Sequence, residues 1–271
     1  MNSRIDDEEL ATAYNRALEL EKAGDADGAA KAYAEVLALD PADHGGVAVR
    51  LAALGRGETP SRAPDAYVET LFDQQAGAFE AILVDQLGYG VPGLIGERLE
   101  ALGLGPFERM LDLGCGTGLA AEAMRDRVTT IIGIDLSENM IDVAEAKDVY
   151  DGLYAGEVEE FLADNEETRF DLIIAADVLP YLGALEPLFG GAVANLESGG
   201  LFVFSSETLS AEDFAGAPFK VAPHQRFAHA EDYVRAQLAA AGFELVEMSQ
   251  INVRMQDDAP TPGHLVVSRL V

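Results

Sequence analysis

Asp112, Gly114, Gly116, Gly118 and Asp135 are the residues whose types and spacing can do chemistry in this chain. Three glycines on alternate positions, in Leu111-Asp112-Leu113-Gly114-Cys115-Gly116-Thr117-Gly118-Leu119, allow a sharp turn and a close approach of backbone to a ligand. Arg109-Met110-Leu111 opens an apolar run long enough for a strand and too short for a helix. Ala120 to Arg125 beyond the turn holds good helix formers and no breaker. A helix start there offers unpaired N–H groups and a partial positive charge, suited to a nucleotide-like cofactor with a carboxylate or phosphate. The spacing disfavours a dinucleotide: GxGxxG starting at Gly114 needs glycine at 119, where Leu119 stands. A second predicted strand, Thr129 to Ile134, ends in Asp135, whose carboxylate can accept both ribose hydroxyls of an adenosine.

Elements on both sides must hold this turn in place. From Phe107 onward the pattern predicts strands near 108–113, 130–135, 151–155, 170–176, 199–205, 243–251 and 264–270. Helices are predicted near 119–126, 138–147, 157–164, 184–196 and 230–241. Such alternation implies a mostly parallel sheet with helices on both faces. Upstream, 9–23 and 29–39 read as helices separated by Gly24-Asp25-Ala26-Asp27-Gly28 and stopped by Asp40-Pro41, with 47–54 as a third. Pro60, Ser61 and Pro64 mark a linker, followed by helical stretches at 65–87 and 93–102. The expected division is a helical module at 1–57, a helical lid and linker at 58–105, and an α/β domain at 106–271.

Composition narrows the partners. Lys and Arg number 18 against 48 Asp and Glu, a net charge of −30. A surface so acidic repels nucleic-acid phosphates and anionic membranes. No apolar run is long enough to span a membrane, and the acidic start of the chain is unlike a signal peptide, so a cytoplasmic protein is expected. One cysteine, Cys115, rules out an internal disulfide and a multi-cysteine metal site, and no metal is expected. Cys115 fits the glycine turn as a small side chain, with no histidine near it in sequence to activate it as a nucleophile.

LDLGCGTG followed by IIGIDLSENMI resembles the class I S-adenosylmethionine (SAM) dependent methyltransferases. The resemblance implies an α/β, Rossmann-like seven-stranded methyltransferase sheet whose last two strands pair antiparallel. It implies that Gly114, Cys115, Gly116 and Gly118 cradle the methionine end of SAM, and that Asp112 meets its amino group. Asp135 matches the ribose acid, Leu136 and Met140 the adenine wall, and Gly156-Glu157 the pair that meets the adenine amino group. The family usually carries aspartate where Glu157 stands. Leu136 and Met140 read equally well as core, and Asp177, at the end of the fourth strand, as a helix cap or a site residue. Asp177-Val178-Leu179-Pro180-Tyr181 departs from the Asn/Asp-Pro-Pro-Tyr tetrad of amino-group methyltransferases acting on DNA or glutamine.

Ala17, Ala29, Tyr33, Val36 and Pro41 match tetratricopeptide positions, and the whole layout resembles the bacterial tetratricopeptide-containing methyltransferases. Tyr67-Val68, Leu71-Phe72-Asp73, Leu87-Gly88-Tyr89 and the stretch from His224 to His229 with Tyr233 carry that likeness, and Gln75 departs from it by replacing a tyrosine. The helical module then reads as a docking or dimerising arm, or as a structural cap. The expected reaction transfers a methyl group to oxygen, nitrogen or sulfur of a small molecule. Protein-directed methylation and a non-catalytic SAM-binding scaffold stay open, and a nicotinamide oxidoreductase is disfavoured by Leu119. Methyl transfer from a sulfonium needs orientation and exclusion of water, and a base only where the acceptor holds its proton tightly. His224, His229, Tyr181 and Tyr67 are the candidate bases, and Arg226 can bind a carboxylate or phosphate of the acceptor. Alternatively His229 caps the helix that follows and His224 is a solvated loop residue.

Overall fold

A computed structural model describes residues 3–165 and 168–271. Nine strands form one sheet: β1 (Phe107–Leu113), β2 (Val128–Asp135), β3 (Gly152–Ala155), β4 (Phe170–Ala175), β5 (Leu196–Glu207), β6 (Phe219–Val221), β7 (Phe227–His229), β8 (Phe243–Gln256) and β9 (Ala259–Leu270). The parallel part runs β3-β2-β1-β4-β5. β9 joins β5 antiparallel and β8 closes that edge, as expected for two strands joined by a tight turn. Strand order reverses between β1 and β4, which opens a crevice beyond their carboxyl ends.

The sheet carries nine strands where the sequence pattern predicted seven. The two extra ones, β6 and β7, are three residues each and form an antiparallel hairpin in a stretch read as loop. β5 outruns β4, and at Glu207 its vacated edge pairs with Ala228 of β7. The hairpin therefore stands over the end of β4, beside the crevice.

Six helices follow β1 among the described residues: α6 (Leu119–Met124), α7 (Glu138–Glu145), α8 (Val158–Asp164), α9 (Glu186–Asn195), the short α10 (Ala211–Phe214) and α11 (Glu231–Ala241). Buried side chains of β1 alternate between two cores. Leu111 and Leu113 pack with α9 and α11, and Met110 packs with α6 and with α5 (Val91–Ala101). Burial on both faces accounts for the near-continuous apolar runs of β4 and β5.

Upstream, α1 (Ser3–Lys22) and α2 (Ala26–Leu39) pack through Ala17, Ala29, Ala32, Tyr33 and Val36, with α3 (Val47–Ala53) contributing Val47. Small residues let the helices approach closely, and Asp25 caps α2 by accepting from Gly28 N–H at 2.9 Å. The other side of α3 is committed elsewhere: Val49 packs with Ala63, Val221 and Phe227, so it rests on the β6–β7 hairpin. α4 (Asp65–Gln75) then leads through a tight turn, Ala76–Ala78, into a wide turn, Ala81–Gln86. These pieces lie across the crevice. Asp73 accepts from Ser137 Oγ at 2.5 Å, Glu80 accepts from Thr117 Oγ1 and Lys147 Nζ at 2.6 Å each, and Leu87 C=O accepts from Met255 N–H at 2.7 Å.

Candidate active site

A cavity of about 400 Å³ lies between the carboxyl ends of β1, β2 and β4 and the overlying helices. The glycine turn forms its base. Gly114 has φ +61°, and a Cβ there would come within 2.6 Å of Val178, so the turn closes tightly on the segment after β4. Cys115 N–H donates to Ile134 C=O at 2.9 Å, tying the turn to β2. Gly116, at φ +52°, faces open space, with only Phe79 near a would-be Cβ at 3.9 Å. That is the close backbone approach a ligand needs. Gly118 starts α6 and packs toward Tyr150 rather than forming cavity wall.

Two acids reach the cavity from the strand ends. Asp112 accepts from Tyr150 O–H at 2.7 Å and is 1% exposed. Burial pushes its carboxyl up to about 7, against the lowering effect of the tyrosine. Asp135 accepts from Gly116 N–H at 2.8 Å and Ser137 N–H at 2.9 Å, which fixes its carboxylate over the turn, and burial raises its pKa as well. Among the described residues neither acid has a basic partner. Cys115 is buried between them, and its thiol is pushed far up by burial and then by the two carboxylates, which removes it as a nucleophile at neutral pH.

Leu136 and Glu157 line the cavity; Met140 and Gly156 do not. Met140 lies on the buried side of α7 with Ala144, so it serves the core. Glu157 caps α8 by accepting from Glu160 N–H at 2.9 Å, and its other oxygen is held by Arg62 at 2.8 Å. Arg62 belongs to the linker segment and was not anticipated from sequence.

A second set of charges gathers around Asp177 and Arg226, which also line the cavity. Asp177, two residues beyond β4, has φ +64°, with its N–H donating to Ser205 Oγ at 2.9 Å. Arg226 is engaged on all three nitrogens: Nη2 donates to Asp177 at 2.6 Å, Nε to Glu207 at 2.7 Å and Nη1 to the Tyr181 hydroxyl oxygen at 2.8 Å. It was expected to be available to an acceptor's carboxylate or phosphate; instead it braces the hairpin against β4 and β5. Arg254 of β8 and Glu207 of β5 complete the group, and the sequence reading named neither.

Among the candidate bases, His224, Tyr67 and Tyr181 line the cavity. His224 is half exposed, with Nε2 3.8 Å from Asp257. Burial pushes Tyr181 up to about 12 and raises Tyr67, so both are neutral phenols at pH 7. His229 is a correction. It sits in β7, fully buried, with Nε2 at 2.9 Å from Leu182 C=O and 3.2 Å from Gly183 C=O and its ring stacked on Tyr233. Burial lowers its pKa to about 4, so it is a neutral structural donor outside the cavity. Tyr89, unnoticed as a site residue, lines the cavity as a buried phenol held well above its usual pKa by burial.

The family described as Methyltransferase domain matches residues 87–248, more than half of the chain, and this protein belongs to it. Curated relatives include a ubiquinone biosynthesis O-methyltransferase of Idiomarina loihiensis, 29% identical over 49% of this chain and 61% of the relative. Another is a malonyl-[acyl-carrier protein] O-methyltransferase of Serratia marcescens, 25% identical over 68% of this chain and 71% of the relative. The chain thus spans about three fifths of the length of the Idiomarina relative. The fold is shared with magnesium protoporphyrin IX methyltransferase of Synechocystis with bound SAH, at TM-score 0.51 and 15% identity over 76% of this chain and 87% of that one. It is shared too with a SAM-dependent methyltransferase of Clostridium acetobutylicum, at TM-score 0.54 and 17% identity over 74% and 99%.

Proposed function

We propose that the protein is a SAM-dependent methyltransferase that methylates a small molecule. The observation that carries the reading is the pair of buried, cation-free carboxylates, Asp112 and Asp135, facing an open glycine turn. Buried acids without basic partners attract a cation, and SAM carries an ammonium and a sulfonium beside a ribose. When bound, it supplies a methyl group already activated for displacement at carbon. Asp112 would hold its amino group, the turn at Gly114–Gly116 its methionine end, and Asp135 its ribose hydroxyls. Leu136 and Glu157 remain at the adenine side.

This chain's residues would then orient and exclude water. Phe72 and Phe79, in edge contact at 6.0 Å, cover the cavity from the lid, and Phe72 also meets the Tyr181 ring at 5.3 Å. His224 is the imidazole placed to take a proton from an acceptor that needs a base. Tyr67, Tyr89 and Tyr181 are phenols fit to donate a hydrogen bond to an acceptor oxygen.

The division into a helical module at 1–57, a lid region at 58–105 and a catalytic domain at 106–271 is part of the proposal, as is membership of the tetratricopeptide-containing group. The packing of Val49 on Phe227 favours the module as a cap that steadies the acceptor wall. No helix is long and apolar enough to cross a membrane among the described residues, and the acidic, single-cysteine composition supports a cytoplasmic enzyme. The test is turnover of methyl-labelled SAM with a cell metabolite extract. Label should move to a small molecule with wild type and fall by at least about tenfold with Asp135→Ala. Label on protein alone would favour protein-directed methylation, and binding without transfer would favour a scaffold.

A further inference from the structure

Arg254 is the one arginine of the cavity's charged wall whose hydrogen bonds are unmade. Its side chain is 7% exposed, yet among the described residues it donates to nothing. Glu207 stands 3.3 Å from Nη2 and Asp177 3.6 Å from Nη1, with Nε buried and without a partner. A guanidinium offers five N–H donors in a planar fork, and leaving them unmade in a buried place is costly. Arg226 explains the vacancy, since it has taken the better-aligned positions on both carboxylates, at 2.6 and 2.7 Å. The backbone points the same way. The β8–β9 register shifts between Asn252 and Arg254, and irregularities of this kind re-aim a side chain beside active sites. The same cavity is lined by the apolar side chains of Leu71, Phe72 and Phe79.

We propose that Arg254 anchors an oxyanion carried by the methyl acceptor, which makes the acceptor a small apolar or aromatic molecule bearing a carboxylate or phosphate. A two-oxygen anion matches the fork of the guanidinium. Arg254 is a binding residue here, and Arg226 and Glu207 position it. The proposal rests on the methyltransferase reading of the cavity.

The test titrates benzoate, benzamide and phenyl phosphate into protein saturated with S-adenosylhomocysteine, for wild type, Arg254→Gln and Arg254→Lys. Benzoate or phenyl phosphate should bind wild type at least about tenfold tighter than the isosteric, uncharged benzamide. Arg254→Gln should lose that preference while keeping S-adenosylhomocysteine affinity within about twofold, and Arg254→Lys should keep part of it. Stronger binding of benzoate assigns a carboxylate, and stronger binding of phenyl phosphate assigns a phosphate. Equal affinity of wild type for benzoate and benzamide overturns the proposal without needing a variant to fold. So does a preference intact in Arg254→Gln, or binding of both anions weaker than about 1 mM. Failure of S-adenosylhomocysteine itself to bind wild type would instead sink the methyltransferase reading.

Discussion

One pair of acids, Asp112 and Asp135, lines the cavity with no cation beside it among the described residues, whereas a second pair, Asp177 in the lining and Glu207 outside it, shares two arginines. All four carboxylates are buried or nearly so, so the contrast is one of neutralisation. On the first side the charge is left for something that arrives, and Asp112 holds its proton up to about pH 7 in the meantime. On the second side the carboxylates are neutralised within the chain: Arg226 braces the β6–β7 hairpin against β5, while the Nε of Arg254 is left without a partner among the described residues.

The contrast breaks most visibly in Arg226→Met. Removing this arginine leaves two buried carboxylates with only the poorly aligned Arg254, which should cost about 3–5 kcal/mol of unfolding free energy. Denaturant melts check it, and a loss under about 1 kcal/mol would mean that the acids are not held as described.

His229 sharpens the comparison from outside the cavity. Its folded pKa, lowered to about 4, lies below its unfolded value near 6.5. Its neutral burial therefore contributes fully above pH 6.5 and is lost as pH falls from there toward 4, an effect of about 3 kcal/mol. His229→Gln, which can still donate to the Leu182 carbonyl, should be less acid-sensitive over that window by melting temperature. An unchanged pH profile would contradict the burial argument.

Asp112→Asn tests the first side with the opposite sign. A carboxyl raised from 3.8 to about 7 destabilises the fold increasingly as pH rises through that range. The amide can still accept from Tyr150, so the cofactor-free variant should be more stable than wild type at pH 8 by about 1–3 kcal/mol. Equal or lower stability would show that the carboxylate is not stranded in the free protein.

The same contrast explains what the sequence revealed. The cofactor side is local: a strand, a glycine turn and an acid at the next strand's end follow one another along the chain, and each leaves a signal. Asp112, Asp135, Gly114 and Gly116 could be named from sequence for that reason, and all four line the cavity. The proposed acceptor wall draws on the segments just after β4 and just before β7 and on β5 and β8, and no spacing links Asp177, Glu207, Arg226 and Arg254. Strands of three residues, as in β6 and β7, are too short for alternation to show, so the hairpin read as loop and His229 as a candidate base or helix cap within it. Met140 read equally well as adenine wall or as core, because an apolar residue on the buried face of α7 fits both patterns. Arg254 left only one usable sign, a charged residue in the apolar-alternating stretch of β8.

Calorimetric titration of SAM into wild type and Asp112→Asn between about pH 5 and pH 7, in two buffers of different ionisation enthalpy, shows whether the Asp112 carboxylate pairs with the cofactor's cation. Wild type should bind with micromolar affinity near pH 7 and about tenfold more weakly for each pH unit below it, releasing a proton that makes the heat buffer-dependent. Asp112→Asn should bind about 10–100-fold more weakly at pH 7 with neither the pH dependence nor the proton release. No binding by wild type, or affinity independent of pH and equal in the two proteins, would contradict the assignment of Asp112 as the carboxylate that awaits the cofactor's cation.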